Sequence, residues 1–252
     1  GAGTSGRLCW TAAQFMNKLM MRHRGRALHC QCSLAGGNQA FRKSVEHAED
    51  NAEAAEADLC RLMDLHFADS SNPQGARGKS LTLIGVTCGL SATWVSSQIK
   101  RALEMGAKVI LLGFTPLSSG RGMFGDAEFQ KAIGDAERSG QMVTICPIVG
   151  PELVTGSTRL KSGTATKICL EVMLHQAASK IRSHSPLTGE VEEVASLVKS
   201  YNRSWEGIYR HSAKLAEAID LGARTLGLAG SIVYAGFGRE GLVGLIDASE
   251  QL

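Results

Sequence analysis

Apolar residues in this chain follow two recurring patterns: short unbroken runs, and longer stretches in which they return every three or four positions. The runs read as strands buried on both faces, and the longer stretches as amphipathic helices packed over them. After an opening glycine loop, "CWTAAQFMNKLMM" has the helical spacing, so the loop delivers the chain into a helix. "ALHCQCSLAGG" predicts a short strand ending at Gly36 and Gly37, and "NQAFRKSVEHAEDNAEAAEADLCRLMDLH" predicts a helix with acids facing solvent in its second half. "KSLTLIGVTCGLSATWVSSQIKRALEMG" repeats the opening grammar as an apolar strand, a Gly/Ser turn and a helix starting near Ser91. "AKVILLGFTP" is another interior strand, followed by a Ser/Gly loop from Ser118 to Gly125 and a helix around Asp126 to Arg138. "QMVTICPIVG" adds a strand, then a long polar loop and a helix. Strands alternating with helices predict an α/β fold with a parallel sheet between helical layers.

At "RSHSPLTGE" the composition shifts, and Pro186 and Gly189 interrupt the pattern before two helices, Glu190 to Tyr201 and about Ser204 to Leu221. The sequence therefore divides into a first domain, 1–184, and a second region, 185–252, made of a helical connection and a further strand, glycine loop and helix. Laying "GFGREGLVGLIDASEQL" over "GAGTSGRLCWTAAQFMN" aligns three glycines of each loop and sets Asp247–Glu250 over Ala12–Phe15. The end of the chain thus reads as the start of a second copy, and a duplicated unit implies a pseudo-dimer within one polypeptide. The first loop offers Thr4 and Ser5 hydroxyls where the second has Arg239 and Glu240. A glutamate in such a loop repels an anion, so of the two loops only the first suits an anionic ligand.

Composition changes this picture little. The 252 residues are 44% hydrophobic and 20% charged, an ordinary globular balance. A net charge of +3 is too close to neutrality to advertise nucleic acid or an anionic membrane, although it suits a small anion. The seven cysteines show no CxxC pair and no histidine spaced for zinc, so buried, reduced thiols in an intracellular, cytoplasmic protein are expected, with no metal or cofactor. No run reaches the ~18 apolar residues of a membrane helix.

The chemistry concentrates in two turns. Glycines let the first loop's backbone approach a ligand, its N–H groups converge, Thr4 and Ser5 add hydroxyls, and a helix N-terminus adds positive potential. No acid precedes Glu46. A dinucleotide site would present an acid about 20 residues onward, yet that region reads "MMRHRGR", so NAD is disfavoured and the basic run is read as a solvated turn. In "TCGLSAT", Thr87, Gly89 and Ser91 sit between a strand's carboxyl end and a helix, where ligands of open α/β sheets bind. Simple capping by Ser91 is the competing explanation.

"GPELVTGSTRLKSGTATK", Gly150 to Lys167, resembles the signature of the glucokinase regulatory protein family, which also includes the bacterial N-acetylmuramic acid 6-phosphate etherases. "GAGTSGRL", "AGGNQAFRKSVEHAEDN" and "GVTCGLSA" are similar to the same family, in the same order. The resemblance implies the sugar isomerase (SIS) fold, a three-layer sandwich, in two copies. It also implies a phosphosugar such as fructose 6-phosphate or fructose 1-phosphate, and a glucokinase or hexokinase as partner. By position it assigns phosphate to Gly3, Thr4, Ser5, Thr87, Gly89 and Ser91, and a sugar hydroxyl to Glu49. Without it, Glu49 is one solvated carboxylate among many; Arg159 and Lys161 have the charge to neutralise an anion, but a lone basic pair in a loop is more often at the surface. Where the etherases read Asp-Ala-Ser-Glu, this chain has "AAQF", and Phe15 has no proton to exchange. "DASE" occurs instead at Asp247–Glu250, from which a pseudo-dimer would send Glu250 across to the first loop. Two expectations follow: a phosphosugar-sensing regulator of a sugar kinase, or a phosphosugar lyase or isomerase using Glu49 and Glu250 as its acid/base pair.

Overall fold

The computed structural model describes residues 1–24, 30–68, 81–183, 191–237 and 239–249. Three strands, β1 (Thr82–Val86), β2 (Lys108–Leu112) and β3 (Met142–Ile145), form a parallel sheet in the order β1-β2-β3, with Thr82 opposite Lys108 and Val109 opposite Met142. Their alternating side chains feed two cores, as parallel strands buried on both faces must. On one face Val109 and Leu111 pack with Leu59, Val95, Ile99, Phe129 and Ile133; on the other Val86 and Leu112 pack with Ala12 and Leu170. Helices α3 (Ala52–Ala68), α4 (Thr93–Glu104) and α5 (Ala127–Arg138) supply the first layer, and α1 (Gly3–Arg24) and α6 (Lys161–Ser183) the second. The fold is α/β, in three layers.

Local sequence explains how closely these layers meet. A methyl built on Gly85 of β1 would lie 3.0 Å from Val95 Cγ1 and 3.1 Å from Ile99 Cδ1, so glycine is what lets α4 settle onto the strand. Asp126 caps α5 by accepting the Phe129 N–H at 2.9 Å, and Phe124 fills the core beneath it with no exposed surface. On the second face α1 packs along α6.

Several expectations change. The segment Cys30–Leu34 forms no strand. Its backbone bonds go elsewhere: Asn17 both donates to and accepts from the Cys30 backbone at 2.8 Å, while Gly1 bridges Ser33 O and Ala35 N. The expected helix 38–66 is broken: α2 (Gly37–Arg42) is followed by a turn and a 3-10 segment at Ala48–Asp50, then α3. His47 takes φ 58° at the break, and Asn51 starts α3 by accepting the Ala54 N–H at 2.9 Å. Glu49 therefore sits on a 3-10 turn rather than on a long helix.

The two helices of the second region are divided later than expected: α7 (Val191–Tyr209) runs through the break anticipated after Tyr201, and α8 (Ser212–Gly227) starts and ends further along the chain. Tyr201 donates to the Glu171 carboxylate and Gln176 to that of Glu193, which ties α7 to α6. The boundary at 184/185 lies outside the described residues. No strand forms in 228–237, since no neighbouring strand among the described residues shares its backbone bonds. α9 (Arg239–Ser249) follows and packs against α2. Val191, Ile219, Leu228 and Phe237 leave this region with apolar side chains in solvent. All seven cysteines are free; Cys88 is buried and the other six are partly exposed. Burial raises the pKa of Cys9, Cys30, Cys146 and Cys169 and pushes Cys32 up to about 12. No helix among the described residues is long and apolar enough to cross a membrane.

Candidate functional site

The glycine loop and the turn after β1 meet at the carboxyl end of the sheet. Gly3 opens α1 with φ 49°, a left-handed conformation that glycine adopts without penalty. A methyl on Gly6 would stand 2.3 Å from Leu34 Cδ1 and 2.8 Å from Gly1 O, so the first turn of α1 is pressed onto the backbone that precedes it. Ser5 Oγ and Cys88 Sγ, 3.2 Å apart, bridge the two turns beneath the surface. Leu90, fully buried, holds φ 47°, and a methyl on Gly113 would fall 2.7 Å from its side chain. Strain of this kind, roughly 1–3 kcal/mol, persists where surrounding packing imposes it, and here it fixes the backbone between Gly89 and Ser91.

Together these turns line one cleft of about 800 Å³ that contains Gly3, Thr4, Ser5, Glu49, Thr87, Gly89 and Ser91. The seven residues anticipated from sequence within the described region are thus gathered in a single place. Glu250, the eighth, lies outside the described residues; α9, which leads to it, packs on α2, whose Ala40 also lines the cleft. The N–H groups of Gly3, Thr4 and Ser5 belong to the first turn of α1, where no preceding helical carbonyl exists to accept them. α4 starts nearby with Ala92 at its cap and no side-chain capping bond, so capping does not account for Ser91. Among the described residues the hydroxyls of Thr4, Thr87 and Ser91 make no intramolecular hydrogen bond. Converging amides, hydroxyls and two helix N-termini suit a compact oxyanion.

Residues 1–103 match the family model described as the glucokinase regulatory protein N-terminal SIS domain. This segment belongs to a SIS domain of the glucokinase regulatory protein family. The chain is 32% identical over 266 residues to the glucokinase regulatory protein of Xenopus laevis, and 28% identical over 258 residues to that of Mus musculus. Each comparison covers 99% of this chain but 39% of the relative. It is also 31% identical over 173 residues to an N-acetylmuramic acid 6-phosphate etherase of Psychromonas ingrahamii, covering 69% of this chain and 47% of that protein. The chain thus spans about two fifths of the glucokinase regulatory proteins it matches.

The SIS cleft contains charged groups that the sequence pattern left unassigned. Arg7 is 1% exposed and donates to Ala40 O at 2.7 Å, tying α1 to α2 below the cleft; burial lowers its pKa from the ordinary arginine value. A polar residue one step after the packed Gly6 was the available signal. Arg121 and Asp50 line the cleft, and so does Arg159 with Ser157 and Thr158. Lys161 turns away: its ammonium donates to Pro151 O at 2.9 Å. In the same segment the Glu152 carboxylate accepts the Lys161 and Ser162 N–H groups, each at 2.9 Å, and so caps α6. Burial alone would raise the pKa of Glu152, but the bonds from Ser162 and Lys161 outweigh it and hold the group below the ordinary carboxylate value.

Proposed function

We propose that this chain is the phosphosugar-binding part of a regulator similar to glucokinase regulatory protein, sensing a sugar phosphate and modulating a sugar kinase inside the cell. The observation that carries this reading is the single cleft in which the first turn of α1 and the turn after β1 converge. In it the amides of Gly3, Thr4, Ser5 and Gly89, with the hydroxyls of Thr4, Ser5, Thr87 and Ser91, hold the phosphate. Glu49, at the exposed rim, accepts a sugar hydroxyl. Fructose 6-phosphate and fructose 1-phosphate are the ligands to test first, and a glucokinase or hexokinase the partner.

Residues 185–252 then begin a second SIS copy. A repeated geometry supports this: a methyl on Gly241 would lie 2.7 Å from Gly236 O, as one on Gly6 would lie 2.8 Å from Gly1 O. The packing of α9 on α2 also favours a pseudo-dimer in which Glu250 faces the first cleft.

The second reading is a lyase resembling the etherases, or a phosphosugar isomerase, with Glu49 and Glu250 exchanging protons. The etherase relatives and the place of Glu49 in the cleft favour it; Phe15, where the etherase pattern has an acid, counts against it. Incubation with N-acetylmuramic acid 6-phosphate and hexose 6-phosphates separates the two. Saturable binding without turnover, with sugar-kinase inhibition that responds to ligand, supports the regulator; turnover abolished by Glu49→Gln supports the enzyme.

A further inference from the structure

The cradle of two helix starts is electrostatically short of what a phosphate monoester requires. Each helix N-terminus presents roughly half a positive charge, so α1 and α4 together offset about one of the nearly two negative charges such an ester carries near pH 7. Thr4, Ser5, Thr87 and Ser91 contribute dipoles, not charge. Of the charged residues lining the cleft, Glu49 and Asp50 oppose an anion, while Arg7, Arg121 and Arg159 favour one. Arg121 is the one that stands beside Gly89, at the turn where the phosphate is placed.

Arg121 is carried by a tightly built loop. Its backbone N–H donates to Leu90 O at 2.9 Å, so the loop is attached directly to the turn after β1. Gly122 follows with φ 57°, and a methyl there would lie 3.8 Å from Ser91 O. Gly120 lies against Phe124, which is anchored in the core. The guanidinium then overhangs Gly89: a methyl built on that glycine would be 3.9 Å from Arg121 Nη2. Among the described residues the side chain of Arg121 makes no hydrogen bond and no ion pair, although it stands on a loop held rigidly against the cleft.

We infer that Arg121 is a phosphate ligand that approaches from the solvent side of the cleft, supplying the positive charge that makes the site selective for dianionic phosphate esters. The inference rests on the phosphate-cradle reading above and goes one residue beyond it. A guanidinium suits the position because its planar fork reaches two phosphate oxygens at once while Gly89 and Ser91 hold the others.

The test is calorimetric titration of fructose 6-phosphate into the unsubstituted protein, Arg121→Ala and Arg121→Lys, at pH 7.5 and pH 5. Thermal unfolding of each variant without ligand serves as the check on folding, and Arg121 is exposed, so the variants are expected to melt as the parent does. Arg121→Ala should bind roughly ten- to a hundredfold more weakly at pH 7.5, the loss of one charge-assisted contact. Arg121→Lys should recover part of the difference. Because the second phosphate proton dissociates near pH 6, the penalty should shrink at pH 5, a response that a merely structural role would not give. Equal affinities for parent and Arg121→Ala at pH 7.5 overturn the inference while leaving the cradle intact, and so does a penalty that is the same at both pH values. No binding by the parent protein overturns the cradle reading and this inference with it.

Discussion

Replacing Gly89 by alanine separates what the second turn does for the fold from what it does for a ligand. A methyl at this position would lie 3.7 Å from Ser91 Oγ and 3.9 Å from Arg121 Nη2, both ordinary contacts, and the backbone there is not left-handed. Folding should therefore tolerate the change, and restricting the unfolded chain should add about 0.4–1 kcal/mol of stability. Binding should respond in the opposite direction. The methyl projects into the space through which a phosphate oxygen reaches the amides of the turn. A lost hydrogen bond to a charged group costs about 1.5–3 kcal/mol, or roughly ten- to a hundredfold in affinity at about 1.4 kcal/mol per decade. Urea unfolding and calorimetric titration with fructose 6-phosphate, run on the same preparations, measure both quantities. A variant at least as stable as the parent that also binds fructose 6-phosphate within twofold of it would refute the placement of the phosphate against Gly89.

Other substitutions address the scaffold. Gly6→Ala must displace both Leu34 and the Gly1 carbonyl, and overpacking of this kind costs about 1–3 kcal/mol; the loss should appear in the urea midpoint, together with weaker phosphosugar binding, because the first turn of α1 is pushed outward. Ile99, with no exposed surface between β1 and α4, should cost about 2–5 kcal/mol as Ile99→Ala, read from the same transition with an unchanged m-value. Glu152 gives a pH signature. Its folded pKa is depressed, so its contribution is complete above the ordinary carboxylate value of about 4.5 and is lost as pH falls from there through the lower folded value. Glu152→Gln should flatten the parent's decline in stability over that window, and an unchanged slope would show that capping of α6 does not depend on the carboxylate charge.

Much of this architecture is legible in the residues themselves. Unbroken runs such as "LTLIGV" and "KVILL" can be satisfied only inside a sheet covered on both faces, and they became β1 and β2. The two Gly/Ser/Thr turns were legible as helix starts, whereas their meeting rests on contacts distant in sequence such as the Ser5–Cys88 bridge. The break after α2 was hidden because acids continue at helical spacing through "SVEHAEDNAEAAE" with no glycine or proline between them. Asn51, a good helix-capping residue just before Ala52, was the signal that would have found it. Cys30–Leu34 has strand-like composition, but a strand is defined by its partners, and here Asn17 and Gly1 take the bonds. Arg121 is not legible from periodicity, which says nothing about how a Ser/Gly loop folds back; its position depends on the bond to Leu90 O, a contact between segments far apart in sequence.

Backbone amide chemical shifts followed while fructose 6-phosphate is added test most directly whether the two turns hold one phosphate, since they report on both turns separately. If both turns hold one phosphate, the amides of Gly3, Thr4 and Ser5 and those of Gly89 and Ser91 move together along one saturation curve, and fructose without phosphate moves neither group. Movement of one turn alone, or of neither at saturating ester, would contradict it.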